Sequence, residues 1–178
     1  TDCNDVNADI YTGAPDDPDD GFADSNCDGI DGDESKAVFV SLGGNNTNPG
    51  TRAAPVRTVA RGLYISSGSR PQVLVSAGTY AETVTMKNGS SVYGGFPTAW
   101  TGARSAIVTM ASPTAVGVTA SNITAATVVD RVTIQSADAT TAGGSSVALV
   151  VASSTSALQF RNVTLVSGDG VAGSAGLS

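Results

Sequence analysis

The chain has 178 residues and a formal charge of −7, with nine basic residues, sixteen acidic residues and no histidine. The missing histidine excludes Ser–His and Cys–His nucleophilic catalysis, and two distant cysteines without histidine make a poor zinc or copper site. No apolar run is long enough to span a membrane, so we expect no membrane insertion, and we expect no nucleic-acid partner.

The first 34 residues hold twelve of the sixteen acids and none of the bases, so they carry −12 and the remainder carries +5. Like charges at this density keep a segment disordered unless divalent cations cancel the repulsion, so a solvated acidic tail is the alternative to a metal site. From Asp24 the chain reads D-S-N-C-D-G-I-D-G-D, and Asp5–Asp9 is a weaker copy. Oxygen-bearing side chains at alternate positions beside a turn-forming glycine are typical of a Ca²⁺ loop. The predicted ligands of one or two Ca²⁺ ions are Asp2, Asn4, Asp5, Asn7, Asp9, Asp24, Asn26, Asp28, Ile30, Asp31 and Asp33.

Cys3 and Cys27 are the only cysteines, and each lies inside one half of the acidic pattern. A disulfide between them would join the two halves and contribute about 3–4 kcal/mol by restricting the unfolded chain. A segment with almost no apolar core needs such a crosslink, together with metal. Disulfides persist in oxidising compartments, so we expect an extracellular or cell-surface location.

Three stretches of this segment, Asp2–Asp5, Ile10–Pro15 and Asn26–Glu34, resemble the metal-binding repeat of bacterial secreted proteins. That repeat reads D-C-N-D, I-x-P-G-A and C-D-G-x-D-x-D, and Thr12 stands where the family usually has proline. The resemblance implies a small calcium-binding module over residues 1–35 of a secreted protein.

Residues 36–178 form a second predicted domain, rich in valine, threonine, serine, alanine and glycine. Its one helical pattern is Pro55–Tyr64, with apolar residues at helical spacing and proline at the first position. We expect this helix to cap one end of the fold. The remaining apolar stretches predict short strands: Val38–Val40, Val73–Val75, Val84–Met86, Val92–Tyr93, Ala106–Val108, Val116–Val118, Val128–Ile134, Val147–Val151 and Leu158–Leu165.

An internal repeat predicts how these strands are arranged. The pattern from Val116 to Ser136 recurs 31 residues later, from Val147 to Ser167, with apolar residues at the same phase. Without its polar loop, each repeat matches one three-sided coil of a β-solenoid, in which Val132 and Ile134 point inward beneath the next copy. A β-sandwich also contains many short strands, but it does not predict a fixed period.

Residues Phe39–Thr58 resemble the opening of secreted right-handed parallel β-helix proteins, F-V-S-x-x-G-x-D-x-N-P-G-T followed by a helix, with Asn46 where many members have aspartate. Ala77–Val84 and Tyr93–Trp100 are also similar to that family, and the resemblance covers residues 37–178. It implies an all-β right-handed parallel β-helix with a short N-terminal capping helix. The family contains surface proteins, adhesin-like proteins and polysaccharide lyases or hydrolases.

No catalytic set stands out. Only four acids lie outside the acidic segment, namely Glu82, Asp130, Asp138 and Asp169, whereas glycoside hydrolysis needs two carboxylates across one cleft. We expect Glu82 to be a turn residue and Arg131 and Arg161 to be solvated or stacked. The aromatic residues Tyr80, Tyr93, Phe96 and Trp100 are expected to pack in the first coils instead of forming a sugar-binding platform.

These patterns predict a calcium-stabilised extracellular structural, adhesive or assembly module of a bacterial surface or secreted protein. The alternative is a fragment of a polysaccharide-active lyase or glycoside hydrolase. The chain stops at Ser178 without a capping pattern. We therefore expect either a fragment of a longer protein or an open solenoid end that stacks end to end with another copy. A cell-surface polysaccharide is a further expected partner.

Overall fold

The fold is built from short strands and one short helix within residues 3–174, the part of the chain that the computed structural model describes. A 3₁₀ turn, Glu34–Lys36, precedes the first strand, and helix α1, Val59–Ile65, follows that strand. In chain order the strands are β1 (Ala37–Val40), β2 (Gln72–Ser76), β3 (Gly78–Tyr80), β4 (Val84–Thr85), β5 (Ser91–Phe96), β6 (Val108–Ala111), β7 (Val116–Ser121), β8 (Thr127–Asp130), β9 (Thr133–Gln135), β10 (Val147–Ala152), β11 (Leu158–Arg161) and β12 (Thr164–Val166).

The strands form three parallel sheets that wind into a β-solenoid of about four turns. Sheet A has the order β1-β2-β5-β8-β11, sheet B the order β3-β6-β9-β12, and sheet C the order β4-β7-β10. Each full coil therefore contributes one strand to each sheet, and the next coil stacks upon it. The predicted all-β parallel β-helix, with its three-sided coils, is confirmed.

The register of the last two coils matches the 31-residue repeat. Val147 pairs with Val116, Phe160 with Val129, and Leu165 with Ile134. Ile134 is fully buried, as predicted for an inward position. Equivalent residues of successive coils are stacked because each coil must present its apolar side chains at the same phase to bury them.

Two predicted strands are divided at corners of the coil. The stretch Val128–Ile134 turns from sheet A to sheet B at Arg131, and Leu158–Leu165 turns in the same way at Asn162. Both residues have left-handed backbone conformations, with φ of 53° and 51°. Such single residues redirect the chain without a loop, and asparagine accepts this conformation more readily than most residues.

Helix α1 packs across the first coil, as the capping prediction requires, but it begins four residues later than the pattern suggested. Val56 is instead drawn into a parallel bridge with Val40, and Thr58 caps the helix by accepting a hydrogen bond from the Arg61 amide. The helix lies close to the sheet because Gly62 has no side chain. A Cβ there would come within 2.7 Å of Val40 and 2.9 Å of Val73.

Apolar side chains form two separate clusters. The larger fills the interior of the solenoid and draws on all three sheets and α1. The smaller lies on the outer side of sheet A and contains Ile30, Ala37, Phe39, Leu74, Tyr93, Phe96 and Trp100. Ile30 comes from the acidic N-terminal residues, so those residues share a core with the solenoid. Exposed sheets need such a cover when apolar side chains occupy both of their faces.

Strands β10, β11 and β12 are the last described members of their sheets. Several apolar side chains of these strands are between about one-third and one-half exposed: Val147, Val150, Val151, Leu165 and Val166. Within residues 3–174 no helix is long and apolar enough to cross a membrane.

Candidate functional site

The candidate site is the acidic segment, defined here as residues 3–34, which runs along the outer side of sheet A. Gln72 on strand β2 anchors it at two points. The Gln72 amide donates to the Asp16 carbonyl at 3.0 Å and to the Asp17 carboxylate at 2.8 Å, and its oxygen accepts from the Asp33 amide at 3.0 Å. Gln72 is itself buried, so these hydrogen bonds connect the acidic segment to the solenoid away from water.

The predicted disulfide between Cys3 and Cys27 is present, with the two Cα atoms 5.9 Å apart. Two backbone hydrogen bonds continue this connection, from Tyr11 to Ser25 and from Gly13 to Asn26. The segment contains no regular strand or α-helix. The disulfide and the hydrogen bonds therefore hold it in an ordered conformation, as a hydrophobic core does in a larger domain.

The loop from Asp24 to Asp28 has side-chain oxygens that converge on its own backbone. Asp24 accepts hydrogen bonds from the amides of Asp28 at 3.0 Å and Gly29 at 2.8 Å, and Asn26 accepts from Asp28 at 2.9 Å. Asp28 accepts from Ile30 at 3.1 Å and Glu34 at 2.8 Å. Each carboxylate oxygen has a second lone-pair site, so these contacts leave coordination capacity for a cation.

Asp31 and Asp33, also predicted ligands, have other partners. Asp31 is buried and forms an ion pair with the Arg104 guanidinium, while its second oxygen accepts from the Asp19 amide. Asp33 pairs with Lys36 at 2.9 Å. Their charges are thus balanced without metal, and Ile30 contributes its side chain to the apolar cluster.

The upstream half of the predicted ligand set forms local turns. Asn4 and Asn7 accept hydrogen bonds from the amides of Val6 and Asp9. Asp5 and Asp9 are exposed, and Asp2 lies outside the described residues. In residues 3–174 no group of three or more histidine, cysteine, aspartate or glutamate residues is arranged to hold a metal ion. A calcium site in the acidic segment would therefore need backbone carbonyl, asparagine or water oxygens as well.

Asp16 is a feature of the site that the sequence pattern did not reveal. Within residues 14–18, Ala14, Asp16 and Pro18 are buried and the residues between them are exposed. Asp16 is only 4% exposed, accepts a hydrogen bond from the Ser25 amide at 3.2 Å and forms no ion pair with any described residue. Burial raises the pKa of its carboxyl to about 7, and the nearby charges of Asp31 and Asp24 contribute.

Asp28 shows the same tendency, because burial raises the pKa of its carboxyl above the ordinary value. Asp16 and Asp28 thus combine a raised carboxyl pKa with the absence of an ion pair to any residue that the structure describes. Asp16, Asp24, Asn26 and Asp28 carry the oxygen atoms that Ca²⁺ prefers as ligands, but the three aspartates are not arranged around one common point.

Arg104 is the second feature that the sequence pattern did not reveal. Its side chain is fully buried and joins three parts of the chain. The guanidinium pairs with Asp31 of the acidic segment and with Asp130 of strand β8 at 2.9 Å. It also donates to the carbonyls of Gly94 at 3.1 Å and Asp19 at 3.0 Å. Nearby, Asp20 accepts from Arg131 at 2.7 Å and from Asn162 at 2.9 Å.

Three of the four acids outside the segment make structural contacts through their carboxylates. Both oxygens of Glu82 accept from the first amides of α1, those of Val59 at 2.7 Å and Ala60 at 2.9 Å. Asp130 binds Arg104 and Asn162, and Asp138 accepts from the amide of Asp169 in the next coil. These contacts give Glu82, Asp130 and Asp138 roles in capping and stacking.

The aromatic side chains pack, as predicted, instead of forming a platform. Tyr80, Tyr93, Phe96 and Trp100 are each at most 5% exposed. The Trp100 ring meets Phe39 edge-on, with the centroids 4.9 Å apart, and lies 6.0 Å from Phe96. Trp100 thus anchors the apolar cluster that the acidic segment covers.

Comparison with known proteins identifies the family but no characterised relative. No curated protein and no solved structure matches the chain. Residues 42–167 match the family described as a protein of unknown function, DUF1565, and this range covers most of the solenoid. The match agrees with the parallel β-helix resemblance found in residues 37–178. The chain belongs to the DUF1565 family.

Proposed function

We propose that this chain is a calcium-stabilised extracellular structural or adhesive module of a bacterial surface or secreted protein. The parallel β-helix serves as the scaffold, and the acidic segment covers the outer side of sheet A. Calcium neutralises the carboxylates of that segment so that it stays ordered on the sheet. The Cys3–Cys27 disulfide supports the extracellular location, because such crosslinks persist in oxidising compartments.

The observation that carries the calcium role is the buried Asp16 carboxyl without a cationic partner among the described residues. A buried charge is costly unless it is paired, hydrogen-bonded or bound to a metal. Its neighbours Asp24, Asn26 and Asp28 add oxygen atoms in the same segment. Calcium bound there would supply positive charge to oxygens that now accept only amide hydrogen bonds, and would make the cover more stable.

The test is thermal and urea denaturation of the full chain in calcium and in chelator, with calcium affinity measured by calorimetry. Binding to the native state alone stabilises by about 2.7 kcal/mol at a free calcium concentration one hundred times the Kd. We expect the melting temperature to rise with calcium and much less with magnesium.

The matched variants separate the proposed site from general charge effects. The double variant Asp24→Asn, Asp28→Asn should abolish the calcium-dependent rise in melting temperature. Asp169→Asn, which removes an acid outside the segment, should preserve that rise. A melting temperature that is equal in calcium and chelator would reject the calcium role. So would a calcium effect that survives in the Asp24/Asp28 double variant.

The assembly part of the proposal concerns the edge formed by β10, β11 and β12. Its partly exposed valine and leucine side chains, and strand edges that pair with no further strand within residues 3–174, favour cover by another coil of parallel strands. We propose that another copy of the chain supplies this cover. Sedimentation should then show multimers that Val150→Lys and Val151→Lys disrupt, and a monomer at high concentration would reject this part.

A polysaccharide-active enzyme is the alternative function. The contacts of Glu82, Asp130 and Asp138 described above favour structural roles for these acids. We therefore expect no product from acidic or neutral polysaccharides incubated with the chain. Product release that is lost in an Asp130→Asn variant would favour the enzymatic alternative.

A further inference from the structure

The basic residues of this chain are segregated in a way that the calcium role does not explain. Four of the nine form ion pairs with carboxylates: Lys36, Arg52, Arg104 and Arg131. The other five form none among the described residues, and they are Arg57, Arg61, Arg70, Lys87 and Arg161. All of these except Arg161 lie at or beside helix α1, which closes one end of the solenoid.

The outer side of α1 joins these cations to an exposed aromatic ring. The Arg61 guanidinium lies 5.0 Å from the centre of the Tyr64 ring, and Tyr64 is 75% exposed. The Arg61 Nε atom is buried and has no hydrogen-bond partner among the described residues, so the terminal nitrogens of this guanidinium are the donors that a ligand would meet. Lys87 donates to the Tyr64 and Ser66 carbonyls at the end of the helix, and Arg57 lies exposed just before its start.

The charge of this surface is only partly cancelled. Glu82 contacts the first amides of α1 and lines a pocket with Arg57, so its carboxylate offsets one of the three cations Arg57, Arg61 and Lys87. Arg70, beside the helix, is occupied by the carbonyls of Ala37, Pro49 and Gly50, which leave its charge unneutralised. The capped end is therefore a positive surface on a chain whose overall charge is −7.

We propose that the outer side of α1, formed by Arg57, Arg61, Tyr64 and Lys87, binds an acidic polysaccharide with repeating carboxylate or sulfate groups. Arginine donors match both groups well, and an exposed tyrosine beside them offers a face on which a sugar ring can stack. Nucleic acid is the other class of polyanion that carries repeating negative charge, so single-stranded DNA is included in the test as an outcome that would overturn the proposal.

This surface is separate from the acidic segment, so polysaccharide binding there is independent of calcium. The proposed ligand rests on the adhesive role proposed above, for which it specifies the partner. The test is titration of the full chain with polygalacturonate and with heparin, which present carboxylates and sulfates respectively. Dextran serves as the neutral polymer and single-stranded DNA as the nucleic acid. Each titration is run in calcium and in chelator.

We expect at least one acidic polysaccharide to bind, to weaken as salt rises and to bind equally in calcium and chelator. The double variant Arg57→Gln, Arg61→Gln should raise the Kd by about tenfold or more, because two charge contacts are lost. Tyr64→Ala should weaken binding less, and Arg161→Gln, which removes the unpaired cation of a distant coil, should change the Kd by less than about twofold. Unchanged melting temperatures will show that the variants fold.

Several results would overturn the proposal. These are absence of binding to both acidic polymers at low salt, equal binding of dextran or DNA, and an Arg57/Arg61 double variant that binds as tightly as Arg161→Gln. Binding that needs calcium would place the site on the acidic segment instead. Failure of the calcium experiment with retained polysaccharide binding would reject only the calcium role.

Discussion

Replacement of Arg104 by methionine should detach the acidic segment from the solenoid. The guanidinium is fully buried, and its two partners, Asp31 and Asp130, are 1% and 4% exposed. Methionine fills similar space without charge, so the change leaves two buried carboxylates with no cation. Removing one partner of a buried ion pair costs about 3–5 kcal/mol, a large fraction of the 5–15 kcal/mol that stabilises an ordinary domain.

Urea denaturation followed by fluorescence measures this loss directly, because Trp100 is the only tryptophan and lies in the cluster that the acidic segment covers. Hydrogen exchange should show lost protection in residues 16–34 before the sheets are affected. The loss should shrink at low pH, since protonation removes the uncompensated charges. Adding Asp31→Asn and Asp130→Asn should also recover part of the stability, as expected for an electrostatic cause.

The matched control is Arg52→Met. Arg52 also joins the acidic segment to the solenoid, through Glu34 at 3.2 Å, but that pair is partly exposed. Exposed pairs contribute about 0–1 kcal/mol. If Arg104→Met costs no more than Arg52→Met, or if its cost is the same at every pH, the buried ion pairs do not hold the segment as described.

Three further predictions concern other contacts of the fold. Because burial raises the pKa of Asp16 to about 7, the calcium-free folded state binds a proton that the unfolded state releases near pH 4, so this group lowers stability as the pH rises from 4 to 7. Asp16→Asn should therefore stabilise the calcium-free chain at pH 8, by at most about 4 kcal/mol, and have little effect at pH 4; an equal effect at both values in urea titrations would contradict this. Reduction of the disulfide, or Cys3→Ser with Cys27→Ser, should lower the free energy of unfolding by about 3 kcal/mol and expose residues 3–13 to protease, while strand β2 stays protected. Glu82→Gln should lower the free energy of unfolding by about 1 kcal/mol and increase hydrogen exchange at the first amides of α1. Increased exchange confined to sheet C would show that Glu82 does not cap the helix.

The local parts of the fold were predictable where a short stretch carries its own signal. The disulfide followed from two cysteines in the two halves of one pattern. The helix followed from apolar spacing, but its start did not, because Val56 can either begin the helix or pair with Val40. The corners at Arg131 and Asn162 were missed, since arginine does not mark a left-handed turn and a single asparagine marks one only weakly.

The repeat alone implied a coiled stack of parallel strands, because only stacking keeps the same apolar positions facing inward at a constant interval. The composition and charge of the first 34 residues predicted that this segment needs cations to stay ordered, which the calcium experiment tests. Tertiary structure alone decided where that segment lies and which of its carboxylates are compensated. Arg104 meets Asp31 across 73 residues, and Gln72 meets Asp16 across 56. Contacts of this kind depend on how separate coils face each other in space, and no local pattern of residues specifies that arrangement.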